Sequence, residues 1–401
     1  MSIHEPHPRC FYPMDNVIQN YAWGSTTSIS QLFNIENPTN QPQAEIWMGA
    51  HPNGCSRTEI NQHSTLLSDL IATDKDAFLS ADTNARFGEL PYLFKVLAAA
   101  NALSIQVHPS KAEAEAGYAK EQQAGIPLTA GHRNYKDPNH KPELVYALTP
   151  YQAMNGFRSF AQISVLFSAL NISAISSLVN AFTQNLTSAG LAQFFTELLS
   201  LQGEQKAQAV DALLTYADTH KGEPLFALIL ELADQYPGDI GLFAPLMLNV
   251  LTLQPGEAMF LDARTPHAYL KGTGLEIMAN SDNVLRAGLT PKHMDVEELV
   301  SCTLFEEKPA ETLLLAPQVD GQVLSYPIPV PDFKFTVYLS ANQQTITTHS
   351  AEILLPLDDV MAVSHASGET VTLKKGQSLF IPAYAGEYTL QCAGRVARAH
   401  N

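Results

Sequence analysis

The sequence is short of basic residues, of cysteine and of long apolar runs, and each shortage removes a class of function. Only 23 Lys and Arg stand against 40 Asp and Glu, for a formal charge of −17. Nucleic acid is therefore disfavoured as a partner, because phosphate backbones need a basic surface. A small anionic substrate would need a local cluster of Lys and Arg instead. The four cysteines, Cys10, Cys55, Cys302 and Cys392, lie far apart and form no C-x-x-C pair. A reduced, cytoplasmic chain with unpaired thiols is expected. No segment approaches the roughly 20 apolar residues of a membrane span, and the opening MSIHEPHPRCFYPMD has no apolar stretch of the kind a leader carries. What is present is ample core material: 45% apolar and 16% charged residues over 401 positions. That composition fits two or three packed domains and not a disordered chain.

The texture changes twice along the chain. Up to about Pro150 it is rich in Pro, Gly, Asn and aromatics, with short apolar stretches such as Leu90 to Leu97 and Leu103 to Val107, which reads as strands joined by ordered loops. One short helix is expected at Lys111 to Gln123. From Phe160 to about Tyr236 apolar residues recur at helical spacing, as in Leu191, Phe194, Phe195, Leu198 and Leu199, with turns near Gly203 and Gly222. This stretch reads as a packing module without catalytic groups. Strand texture is expected again from Leu246. Two later segments, LQPGEAMFLDARTPHAYL and LKKGQSLFIPAYAGEYTL, align without a gap on Gly256 and Gly376. Each reads as turn, short strand, loop and strand, the logic of a jelly roll met twice. Where the first copy has His267 the second has Glu387, so a metal site is expected only in the first.

Three segments carry candidate chemistry. In LSIQVHPSK, strand alternation sends Leu103, Ile105 and Val107 to one face and Ser104, Gln106 and His108 to the other. A polar face of this kind needs either water or a ligand to satisfy it. In DPNHKPEL, alternation groups Asn139, Lys141 and Glu143, with His140 opposite unless Pro142 bends the chain. A polar turn with solvated charges fits this segment equally well. In TPHAYLKGTGLEIMANSDNVLRAGLTPKH, KGTG reads as a hairpin turn that sets Tyr269 roughly opposite Glu276, with His267 one step further. Asp282 and Arg286 follow in a loop. A lone His on a strand is more often structural, but here it arrives with other site-type residues. Together, two imidazoles, one carboxylate and one amide oxygen make a mixed set suited to Zn²⁺ and other borderline divalent ions. Lys95, Lys111, Lys141, Arg286 and Lys292 flank these segments, and several of them are candidates for the positive patch that an anionic substrate would require.

ALSIQVHPSKAEAEAGY, DPNHKPELVYALT and HAYLKGTGLEIMANSDNVLRAGLTPKH closely resemble signature segments of the type I mannose-6-phosphate isomerases. YAWGS and PQAEIWMGAHP are similar to N-terminal segments of that family. The resemblance implies a mainly β fold: a cupin-type double-stranded β-barrel, an inserted helical domain and a second C-terminal jelly roll. Domain bounds are expected at 1–155, 156–245, 246–315 and 316–401. It also implies one Zn²⁺ per chain on Gln106, His108, Glu143 and His267, with Arg286 essential for catalysis. Ser104, Lys141 and Lys292 would hold a phosphate, and Tyr269, Glu276, Asp282, Lys95 and Trp23 would line the pocket. The implied reaction interconverts mannose 6-phosphate and fructose 6-phosphate through an enediol. Glu276, His140, Lys141 and a metal-bound water are all competent to carry the proton. A cupin dioxygenase fits the amide ligand and the cationic cluster less well. A non-enzymatic sugar-binding cupin would be expected to lack Arg286 or a ligand. The expected partner is a small phosphosugar, with the chain acting as a monomer.

Overall fold

The computed structural model describes residues 9–401; the first eight residues, which open the stretch read above for a leader, lie outside it. The chain forms two compact units. One comprises the described residues up to Ala98 with Leu275–Asn280 and Leu315–Asn401, and the other comprises Ala99–Gly274 and Ser281–Leu314. Among the described residues no helix is long and apolar enough to cross a membrane.

In the second unit the helical texture becomes helices Phe160–Leu170, Ser176–Thr183, Ser188–Leu199, Gly203–Thr219 and Pro224–Gln235. Local signals set their ends. The Ser159 hydroxyl accepts from Gln162 N, the Thr187 hydroxyl accepts from Gly190 N, and Pro224 occupies a first turn where its missing N–H costs nothing. Leu191, Phe194, Phe195, Leu198 and Leu199 are all buried. The Phe194 ring meets Phe167 edge-on at 4.9 Å and stacks on Phe182 at 5.3 Å. Their cluster is continuous with Ile105, Val107, Met154 and Leu285. The helices therefore back the strands whose other face carries the polar residues. The strand expected from Leu246 begins at Leu248 instead, because Pro245 opens a short helix, Ala244–Met247.

Within this unit the strand Tyr151–Phe157 lies between Leu248–Leu253 and the start of His267–Ala279. Gln106–Val107 pairs with both His267–Ala279 and Leu285–Arg286, and Glu143–Ala147 pairs with Ala258–Leu261. The hairpin expected at KGTG does not form: His267–Ala279 is one continuous 13-residue strand. Its glycines serve close approach, not reversal. A Cβ on Gly272, whose φ is +122°, would lie 2.4 Å from the Pro150 carbonyl oxygen, and one on Gly274 would lie 2.9 Å from that of Tyr146. Tyr269 and Glu276 are thus separated along one strand, not opposed across a turn.

The C-terminal module is a sandwich. Side chains from Glu352–Pro356, Ser378–Ile381 and Val396–His400 on one sheet, and from Met361–His365 and Glu387–Cys392 on the other, share one core. The repeat read from the sequence is visible here: Gly256 and Gly376 both have positive φ, +92° and +81°, and each precedes a short strand. The two copies also pair alike. Leu261 faces Glu143 in the first, and Ile381, its aligned counterpart, faces Glu352 in the second.

Candidate metal centre

Strand register brings the site together. His267 is paired with Gln106, and Gln106 in turn with Arg286. Residues paired directly across a ladder share a face. The three side chains therefore form a row over three adjacent strands. Asn155 extends the row on the other side of His267; it is fully buried and no feature of the sequence reading pointed to it. Alternation within Gln106–Val107 sends Val107 into the apolar cluster while Gln106 faces the opposite way. The Gln106 amide nitrogen donates to the Ser104 hydroxyl at 3.1 Å, which leaves the amide oxygen as its donor atom toward a cation.

Glu143, at the head of its strand and only 3% exposed, is the centre of the group. Its Oε1 lies 3.5 Å from His108 Nε2 and 3.7 Å from Lys141 Nζ; its Oε2 lies 3.2 Å from His267 Nε2. The Tyr269 hydroxyl donates to Oε2 at 3.0 Å. One ligand atom from each of His108, Glu143 and His267 falls within 4.8 Å of the other two.

The protonation pattern favours a cation. His108 Nδ1 is 2.8 Å from the Asn283 carbonyl and His267 Nδ1 is 2.9 Å from the Thr265 carbonyl. A carbonyl can only accept, so both imidazoles carry their proton on Nδ1 when neutral and turn an Nε2 lone pair toward Glu143. His108 Nε2 is buried without a hydrogen-bond partner. Burial pushes the His108 pKa down to about 4, against the pull of Glu143, so the ring is neutral near pH 7. Burial alone would raise the Glu143 carboxyl, yet it is held well below the usual range, with the Lys141 ammonium beside it. Lone pairs facing a carboxylate repel unless a cation lies among them. Tetrahedral Zn²⁺ with bonds of about 2.0–2.2 Å sets its donors roughly 3.3–3.6 Å apart, close to the spacings found here. The residues fit the metal.

Other expected site residues divide into three groups. Asp282 is tied by its backbone N–H to the Asp137 carboxylate at 2.7 Å, in the loop before Arg286. Burial lowers the Arg286 pKa. Lys292 is exposed. In the first unit, Lys95 lies 3.1 Å from Glu276 and 3.6 Å from Glu45, over the Trp47 ring at 5.1 Å. Glu45 also accepts from Trp47 Nε1 at 2.5 Å. Nothing in the sequence marks Glu45 beyond a carboxylate at the head of an otherwise apolar strand. Trp23, also in that unit, stacks on Tyr21 at 5.7 Å.

Three family models match the chain: phosphomannose isomerase type I, catalytic domain, over residues 11–160; phosphomannose isomerase type I, helical insertion domain, over 168–248; and mannose-6-phosphate isomerase, cupin domain, over 322–401. The mannose-6-phosphate isomerase of Salmonella typhimurium is 50% identical over 388 residues, covering 96% of this chain and 98% of its own length. The human mannose-6-phosphate isomerase is 36% identical over 408 residues, with 94% of each covered. Among solved structures, a phosphomannose isomerase variant from Salmonella typhimurium superimposes with a TM-score of 0.94 at 48% identity, over 98% of this chain and 100% of that one. A zinc-bound mannose 6-phosphate isomerase matches at 0.93 and 48%, with the same coverage.

Proposed function

This chain belongs to the type I phosphomannose isomerase family, and from that premise we propose that it interconverts mannose 6-phosphate and fructose 6-phosphate with one Zn²⁺ on Gln106, His108, Glu143 and His267. The observation that carries the reading is the pair of imidazole lone pairs turned onto one buried carboxylate. Bound there, the ion supplies a Lewis acid that polarises or orients the sugar's carbonyl and hydroxyl oxygens.

The remaining steps fall to the protein. An aldose–ketose conversion removes a proton from the carbon beside the carbonyl and returns it to the neighbouring carbon through an enediol. Negative charge develops on the carbonyl oxygen as the proton leaves, and the neighbouring hydroxyl proton passes to that oxygen before the former carbonyl carbon is protonated. Arg286, in register beside Gln106, carries a guanidinium that stays protonated and suits that charge. Glu276, His140 and Lys141 are the side chains competent to move the proton. Ser104, Lys141 and Lys292 are assigned to the phosphate, and Tyr269 and Asp282 to the pocket wall. For Lys95, Glu276 and Trp23 the support is the sequence resemblance. The chain is assigned to the cytoplasm as a monomer, which its four free cysteines suit.

The test is an assay against a panel of hexose phosphates. Protein supplied with Zn²⁺ forms mannose 6-phosphate from fructose 6-phosphate without consuming oxygen. Failure to form it, with turnover of another phosphosugar, contradicts the substrate assignment.

A further inference from the structure

We propose that Asn283 is the positioning residue that presets the metal centre, an inference that rests on the zinc reading above. Asn283 is fully buried and acts with three of its groups at once. Its backbone carbonyl takes the Nδ1 proton of His108 at 2.8 Å, which fixes the tautomer that leaves Nε2 free for a cation. Its amide oxygen accepts from the backbone N–H groups of Lys136 at 2.7 Å and Asp137 at 3.3 Å. Its amide nitrogen donates to the carbonyls of Asp137 at 2.7 Å and Asn139 at 2.9 Å.

Only an amide of this length satisfies that pattern. A carboxylate would set an oxygen against two carbonyl oxygens, and Gln is one methylene too long for a fully buried position. The loop being read, Lys136 to Asn139, leads directly to His140, Lys141 and Glu143. A second clasp closes from the other side. The Asp137 carboxylate accepts from the Ser281 hydroxyl at 2.8 Å, from Asp282 N at 2.7 Å and from Asn139 N at 3.0 Å. Asn283 itself stands two positions before the strand Leu285–Arg286. One fully buried residue thus ties together the segments that bring His108, through its backbone carbonyl, and Glu143 and Arg286, through its amide and its place in the chain.

The test compares the full-length protein with its Asn283→Asp variant, which preserves side-chain shape. Zn²⁺ affinity is measured by competition with a chromophoric chelator, beside the melting temperature of each metal-free protein and kcat and KM. The Zn²⁺ dissociation constant of Asn283→Asp is expected to rise about 10–100-fold, with kcat falling more than KM changes. A merely structural role lowers the metal-free melting temperature and leaves the affinity of the folded protein unchanged, and that result overturns the proposal. Should Asn283→Asp fail to fold, Asp137→Asn carries the same comparison: weaker Zn²⁺ binding supports the clasp, and unaltered binding overturns it. A parent protein that binds no Zn²⁺ defeats the zinc reading itself, which separates the two failures.

Discussion

At the residue scale the proposed function divides the site into groups that hold the metal and groups that act on the sugar, and substitution separates them. His267→Ala removes one of two imidazoles aimed at Glu143, so the zinc content of the purified protein should fall toward zero and activity with it. Arg286→Lys should keep zinc at one per chain while lowering kcat on the order of 10²-fold, the cost typical of one lost stabilising donor. An ammonium lacks the planar fork of a guanidinium. Elemental analysis beside steady-state kinetics checks both; zinc loss in Arg286→Lys contradicts the division of roles. Each ligand segment was ambiguous alone, since a polar strand face can be wet and DPNHKPEL fits a solvated turn equally well; the set of four was read from the family resemblance. Asn283 was not legible as a positioning residue, because it works through a backbone carbonyl and through loop groups that no spacing rule reaches.

At the scale of elements, the helices and the internal repeat could be read from periodicity and aligned glycines. The KGTG hairpin could not. A Gly-rich tetrapeptide between apolar runs signals a turn, yet here the chain runs straight on past the Pro150 carbonyl. Close packing, which sequence does not show, selected the glycines. Gly272→Ala therefore meets both an unfavourable φ of +122° and a Cβ only 2.4 Å from that oxygen. The unfavourable backbone alone costs about 1–3 kcal/mol. Thermal unfolding should show the loss, and an unchanged melting temperature would place the strand elsewhere.

At the scale of the whole molecule, one jelly-roll pattern occurs twice with two ways of neutralising the same carboxylate. Glu143 faces imidazoles fit for a metal, whereas Glu352, at the matching register, is fully buried and bonded by Arg398, with Nε at 2.9 Å, and by the Tyr388 hydroxyl at 2.8 Å. A guanidinium stands where the first copy suits an ion. Arg398→Ala should destabilise the protein by about 3–5 kcal/mol, as expected for a buried ion pair robbed of one partner. The double variant Glu352→Leu/Arg398→Met should recover most of that loss in chemical denaturation. The aligned segments anticipated that the second copy departs from the first at His267. They did not reveal Glu352, because it lies on a partner strand outside the repeated segment. The proposed function requires a single ion, held in the first copy. Metal-stripped protein titrated with Zn²⁺ while it converts fructose 6-phosphate to mannose 6-phosphate tests this directly: activity should rise from zero and level off at one equivalent per chain. Full turnover in the stripped protein, or a rise that continues to a second equivalent, would contradict it.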